Sequence, residues 1–176
     1  MYLIFDTETT GLPKNWNAPI TDSDNWPRAI QIAWQLHDDM GNCIEHEDYL
    51  IRPDGFDIPF DAERIHGIST ELAQRDGLPL GEVLGKFKAA LERTKFVVGQ
   101  NVGFDVNIMG AEFHRLDVTN QLQELPVLDT CTETTAQLCQ IPGGRGGKFK
   151  LPTLLAGNLG IGKKYPSNAE KSVTIS

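Results

Sequence analysis

Nothing in this sequence reaches the run of about 20 apolar residues that spans a membrane. Its N-terminus lacks the basic-then-apolar order of a secretory leader. Cysteine is scarce. Cys43, Cys131 and Cys139 are an odd set of three without metal-type spacing, so no disulfide scaffold is expected. Buried reduced thiols in a cytoplasmic protein are the expectation. Basic charge is also in short supply, with 16 Lys and Arg against 24 Asp and Glu and a net charge of −8. Proteins that coat nucleic acid non-specifically rely on clustered Lys and Arg, so that class is excluded. An enzyme that grips one strand end through bound cations is not. The chain of 176 residues, 40% hydrophobic and 23% charged, has the size and composition of one globular domain.

What the chain does have is Tyr2-Leu3-Ile4-Phe5-Asp6-Thr7-Glu8-Thr9-Thr10-Gly11. An apolar, β-forming run leads straight into two acids one residue apart. Successive side chains of a strand point to opposite faces, so Asp6 and Glu8 share a face with roughly 6–7 Å of rise between them. Two such acids repel each other and resist desolvation. A cation between them removes the conflict, and Mg²⁺ or Mn²⁺ prefers an all-oxygen site. The alternative is a strand that runs out into solvent, with Thr9-Thr10-Gly11 as a turn.

The rest of the chain reads as strands followed by alternating helix and strand. Residues 12–26 form a Pro-, Asn- and Asp-rich loop that Trp16 and Trp26 pin down. Residues 29–36 and 43–52 are strands joined by a turn at 38–42, giving an antiparallel meander. The run Glu45-His46-Glu47-Asp48 points alternately to opposite faces and reads as a solvated hairpin rather than a metal site. Residues 61–65 form a short helix, and Ser69 caps another over 70–75. Pro79 opens a helix to residue 93 with Val83, Leu84, Phe87 and Leu91 on one side. Residues 96–99 are a buried strand. A helix over 102–116 carries a stripe of Val102, Val106, Met109, Phe113 and Leu116. Residues 127–129 are a last strand, and 130–139 a last helix. This order predicts an α/β mixed sheet with flanking helices. The glycine-rich run at 141–150 is not a phosphate loop, because Pro142 and Phe149 stand where Gly and Ser or Thr are required.

Asp105 is the third informative acid. It falls at the edge of that helix stripe and in the first turn, where an anion is favoured, so it points toward the sheet. A core-facing Asp needs a partner, and no Arg stands near it in sequence. A cation shared with Asp6 and Glu8 satisfies all three; a bond to its own helix backbone is the alternative.

Phe5-Asp6-Thr7-Glu8-Thr9-Thr10-Gly11 and Val98-Gly99-Gln100-Asn101-Val102-Gly103-Phe104-Asp105 resemble the first two motifs of the DEDD exonucleases. Among these, the chain is most similar to the epsilon-type proofreading subunit of bacterial DNA polymerase III. Ile65-His66-Gly67-Ile68-Ser69 and Val127-Leu128-Asp129-Thr130 are also typical of that family, and the likeness covers about residues 1–153. The resemblance implies a ribonuclease H-like mixed sheet and two-metal hydrolysis of the terminal phosphodiester at a 3′ end. It implies that Asp6 bridges two Mg²⁺ or Mn²⁺ ions, that Glu8 holds the first and that Asp105 holds the second. By the same likeness Thr7, Thr9, Thr10, His66, Asn101 and Phe104 contact the terminal nucleotide. The implied partner is a single-stranded 3′ end of DNA, or RNA, with a polymerase partner as an analogy and no membrane.

The family also carries a general-base His and a fourth acid in the pattern His-x-Ala-x-x-Asp. The only echo here is Ser167-Asn168-Ala169-Glu170-Lys171-Ser172, with Ser at both positions. Serine neither titrates near neutrality nor supplies a metal's charge. Residues 157–176 lack helical periodicity, so the expected division is an exonuclease-like domain at 1–156 and an atypical tail. The C-terminal helix is expected to be incomplete or missing and the activity impaired. One rival reading is an inactive module that binds single-stranded ends. A remote one is a haloacid-dehalogenase-type phosphatase, because Asp6-Thr7-Glu8-Thr9-Thr10 is loosely similar to Asp-x-Asp-x-Thr.

Overall fold

The structure, a computed structural model, describes residues 1–131. Five strands form one mixed sheet, β1 (Tyr2–Thr9), β2 (Ala29–His37), β3 (Cys43–Leu50), β4 (Phe96–Gly99) and β5 (Val127–Asp129), in the order β3-β2-β1-β4-β5. The first three pair antiparallel, and β4 and β5 add in parallel on the other side of β1. This is the expected meander followed by helix–strand units. The helices are α1 (Phe60–His66), α2 (Thr70–Asp76), α3 (Leu80–Leu91) and α4 (Gly103–Arg115), with a short 3₁₀ turn at Leu122–Glu124. Ser69 caps α2 as its sequence predicts, accepting from the Leu72 amide at 3.1 Å. No helix of the described residues is long and apolar enough to cross a membrane.

One face of the sheet is closed. Leu3 and Phe5 of β1 point into it and pack with Phe87 of α3, which also meets Trp34 of β2 and Phe113 of α4. Burial of these rings removes a large apolar area from water and stabilises this side of the sheet. The opposite side chains of β1, namely Tyr2, Ile4, Asp6 and Glu8, are only half-buried. A second apolar cluster joins α1 and α2 to Ile30 and Leu50. Leu50 pairs with Gln31, and Gln31 with Glu8, so this cluster sits at the Glu8 end of the sheet.

Three expectations need correction. Trp26 is buried and donates from Nε1 to the Pro19 carbonyl at 3.0 Å, but Trp16 is 53% exposed and does not pin the loop into the core. Leu116 is 44% exposed because α4 ends at Arg115, before the stripe reaches it. Cys43 is an exposed free thiol at the start of β3, the edge strand among the described residues. The helix expected at 130–139, Cys139, the glycine-rich run and the serine echo lie outside the described residues.

Candidate active site

The β1–β2 register sets Asp6 opposite Ala33 and Glu8 opposite Gln31, so both acids lie side by side on the half-open face. Ala33 leaves room beside Asp6. Gln31 donates at 2.6 Å to Asp48 on β3.

β4 pairs with β1 only at Tyr2, Leu3 and Ile4. Beyond that point the β4-side backbone of β1 has no strand partner among the described residues, and a buried N–H must find another acceptor. Asp105 supplies it. Its Oδ1 accepts from the Thr7 amide at 2.9 Å and from the Thr7 hydroxyl at 2.6 Å. The short β4 thus lets α4 bring its first turn onto the strand between the two acids. The crossing is tight: a Cβ at Gly99 would lie 2.8 Å from Val102 and 3.1 Å from the Phe5 carbonyl. Asn101 takes a left-handed turn, φ 57°, and its amide donates to Asp129 Oδ1 at 2.8 Å, tying the turn to β5. Asp105 is 4% exposed, as its helix position predicts, and Thr7 is the partner that the sequence left unnamed.

The charge balance of the three acids is unfavourable as they stand. Burial, then the charge of Asp6, pushes Glu8 from its ordinary 4.5 up to about 7. Burial also raises Asp6, against a lowering bond from Thr7. Asp105 lies well above the usual carboxylate range, first through burial and then through Asp6, against the Thr7 bonds. Asp6 is therefore the acid whose field reaches both others. Among the described residues no three acid, His or Cys side chains gather in a ready-made metal group. The donor set nonetheless suits a hard divalent cation, because it is all oxygen and burial disfavours the charged form of each carboxyl, which a cation would offset. Asp105 already has one oxygen engaged on Thr7.

The threonines serve the turn at the strand end. Thr7 holds Asp105, Thr9 donates its hydroxyl to the Gly11 carbonyl at 2.7 Å, and Thr10 accepts from the Arg28 amide at 2.9 Å. His66, at the end of α1, is 4% exposed. Its Nδ1 accepts from the Ile68 amide at 3.0 Å, so the proton of the neutral ring sits on Nε2. Nε2 has no partner among the described residues. Burial lowers the pKa of His66, which keeps the ring neutral. It is a hydrogen-bond donor in waiting and cannot act as a base through Nε2. Phe104 is half-buried beside Asp105.

Sequence reasoning missed Glu112, which is fully buried. It accepts from Arg28 Nε at 3.0 Å and the Ala29 amide at 2.8 Å, and pairs with Arg115 at 3.0 Å. Arg115 in turn donates to the Ser23 and Trp26 carbonyls at 2.6 Å each. The signal available was spacing: Glu112 lies two helical turns after Asp105, on the same face of α4.

Comparison with known proteins gives a consistent picture. A family model described as RNase_T, exonuclease, matches residues 3–156. The DNA polymerase III PolC-type of Streptococcus mutans is 33% identical over 130 residues, 73% of this chain but 8% of that protein. Its Lactococcus lactis counterpart is 34% identical over 132 residues, covering 73% and 7%. This chain therefore spans less than a tenth of these curated relatives. Among solved structures, E. coli exonuclease I in complex with a dT13 oligonucleotide aligns at a TM-score of 0.66 and 21% identity, over 91% of this chain and 36% of that one. The complex with a dA16 oligonucleotide gives 0.67 and 20% over the same shares, 91% and 36%. At these identities the likeness concerns the fold.

Proposed function

This chain belongs to the RNase_T exonuclease family, and from that we propose that it is a divalent-metal-dependent 3′–5′ exonuclease domain of the epsilon type. The observation that carries the reading is the pair Asp6 and Glu8 side by side, with Asp105 bound to the Thr7 between them. Asp6, whose field reaches both other acids, is the shared ligand; Glu8 and Asp105 complete the set. Bound there, Mg²⁺ or Mn²⁺ supplies the charge that activates a water and stabilises the leaving 3′-oxygen.

The chain's own residues bind and orient the strand end. Thr7, Thr9 and Thr10 act by shaping the turn after Glu8, and Asn101 by holding the turn before α4. His66 offers its Nε2–H to an oxygen of the terminal nucleotide, and Phe104 offers its ring to the base. Residues 1–156 form the exonuclease domain, and residues 157–176 an atypical tail. In that tail the only echo of the family's last motif is Ser167-Asn168-Ala169-Glu170-Lys171-Ser172, with Ser where the sequence pattern calls for the base and the fourth acid. A positioned general base contributes about 10²–10⁴-fold, so turnover by this chain is slow. The same two serines favour a second reading, a module that binds a single-stranded 3′ end without cutting it. Two of the solved neighbours hold single-stranded oligonucleotides, which supports this substrate class; a polymerase partner is an analogy from the PolC-type relatives.

Two measurements test the proposal. Mn²⁺ raises the melting temperature of the chain, because a ligand that binds only the folded state stabilises it. Asp6→Ala removes most of that rise, and equal shifts in both proteins sink the metal site. A 3′-labelled single strand then separates slow release of mononucleotides from binding without release.

A further inference from the structure

Trp16 is a large aromatic side chain that neither the core nor the three acids account for. It is 53% exposed, and its ring centroid lies 5.7 Å from that of Phe104, at an angle of 48°. Exposed aromatic side chains are common on loops. This loop, however, is fixed from within. The Asn15 amide donates to Asn25 Oδ1 at 2.7 Å, and Asn25 Nδ2 returns a bond to the Asn15 carbonyl at 2.9 Å. Asn25 itself is buried, and Arg115 holds the Ser23 and Trp26 carbonyls. Trp16 is thus presented on a closed, cross-bonded loop, and its neighbour Phe104 immediately precedes Asp105. The rings are tilted rather than stacked, and Trp16 keeps about half of its surface exposed.

We infer that Trp16 is a base-stacking subsite of the nuclease site, which takes a nucleobase of a single strand next to the base carried by Phe104. The inference rests on the proposed function. A fixed, half-exposed indole suits this task because every base has a π-face, and little side-chain freedom is lost on contact. Stacking is indifferent to sequence. It compensates for the shortage of basic side chains, since it holds a strand without neutralising its phosphates.

The test uses the full chain with Mn²⁺ and a short single strand whose 3′-terminal linkages are phosphorothioates that resist hydrolysis. Binding is read by anisotropy and by quenching of tryptophan fluorescence, Trp26 and Trp34 being buried. Trp16→Ala weakens binding by about tenfold and abolishes most of the quenching. Trp16→Phe restores binding without the quenching. Abasic nucleotides are then placed singly along the strand. An abasic site at one of the two 3′-terminal positions erases the difference between wild type and Trp16→Ala, whereas interior ones leave it intact. A merely structural Trp16 would give the same loss with every strand, and that result overturns the inference, as does unchanged binding by Trp16→Ala. If the wild-type chain binds no strand, this inference and the proposed function both fail. If it binds and Trp16→Ala is indifferent, only the inference fails.

Discussion

Glu8 is the residue at which the site's electrostatics become measurable. Its folded-state pKa is raised from 4.5 to about 7, first by burial and then by Asp6. A carboxyl raised on folding contributes stability that is complete below its unfolded value and is lost as pH rises through the folded one. Without metal, the melting temperature should therefore fall as pH rises from about 4.5 to about 7, with Asp6 and Asp105 acting in the same sense. Glu8→Gln should flatten that slope; a wild-type profile that is flat in EDTA refutes it. This pair of acids was legible in the sequence because a strand's period of two needs no knowledge of the fold. Trp16 and Cys43 were not. Whether a loop tryptophan or a strand-end thiol is covered depends on what stands opposite, and no local pattern records that.

At the level of elements, α4 brings Asp105 to the candidate site because it is fastened to the β1–β2 region at two points two turns apart. Asp105 holds Thr7, and Glu112 holds Arg28 and Ala29. Removing one partner of a buried ion pair leaves the other charges uncompensated. Glu112→Ala should cost about 3 kcal/mol of unfolding free energy in urea melts and loosen the loop that carries Trp16. A loss under about 0.5 kcal/mol, the usual surface range, would mean that the clamp is dispensable. The helix itself was readable from its apolar stripe, and Asp105's inward aim followed from it. Its end was overrun at Leu116. The spacing from Asp105 could have flagged Glu112, but not its partner, because Glu112 and Arg28 are 84 residues apart and only the closed fold brings them together.

At the scale of the whole molecule, charge bears on how the proposed single-strand substrate would be held. With a net charge of −8, few Lys or Arg are available to displace counterions from phosphates. The affinity for single strands should therefore depend weakly on salt. Two phosphate contacts give a log–log slope of about −1.4, and a slope of about −4 or steeper would reveal a basic channel. The sheet's architecture was readable from its strands and periods, but the early end of β4 was not readable as a functional feature. It leaves one peptide N–H of the central strand in the keeping of a carboxylate. The Thr7 amide is consequently a native spectroscopic probe of the site. A cation that draws Asp105 away should speed hydrogen exchange at Thr7 while the protein as a whole becomes more protected. Exchange at this one position would then report metal occupancy without any turnover having to be observed.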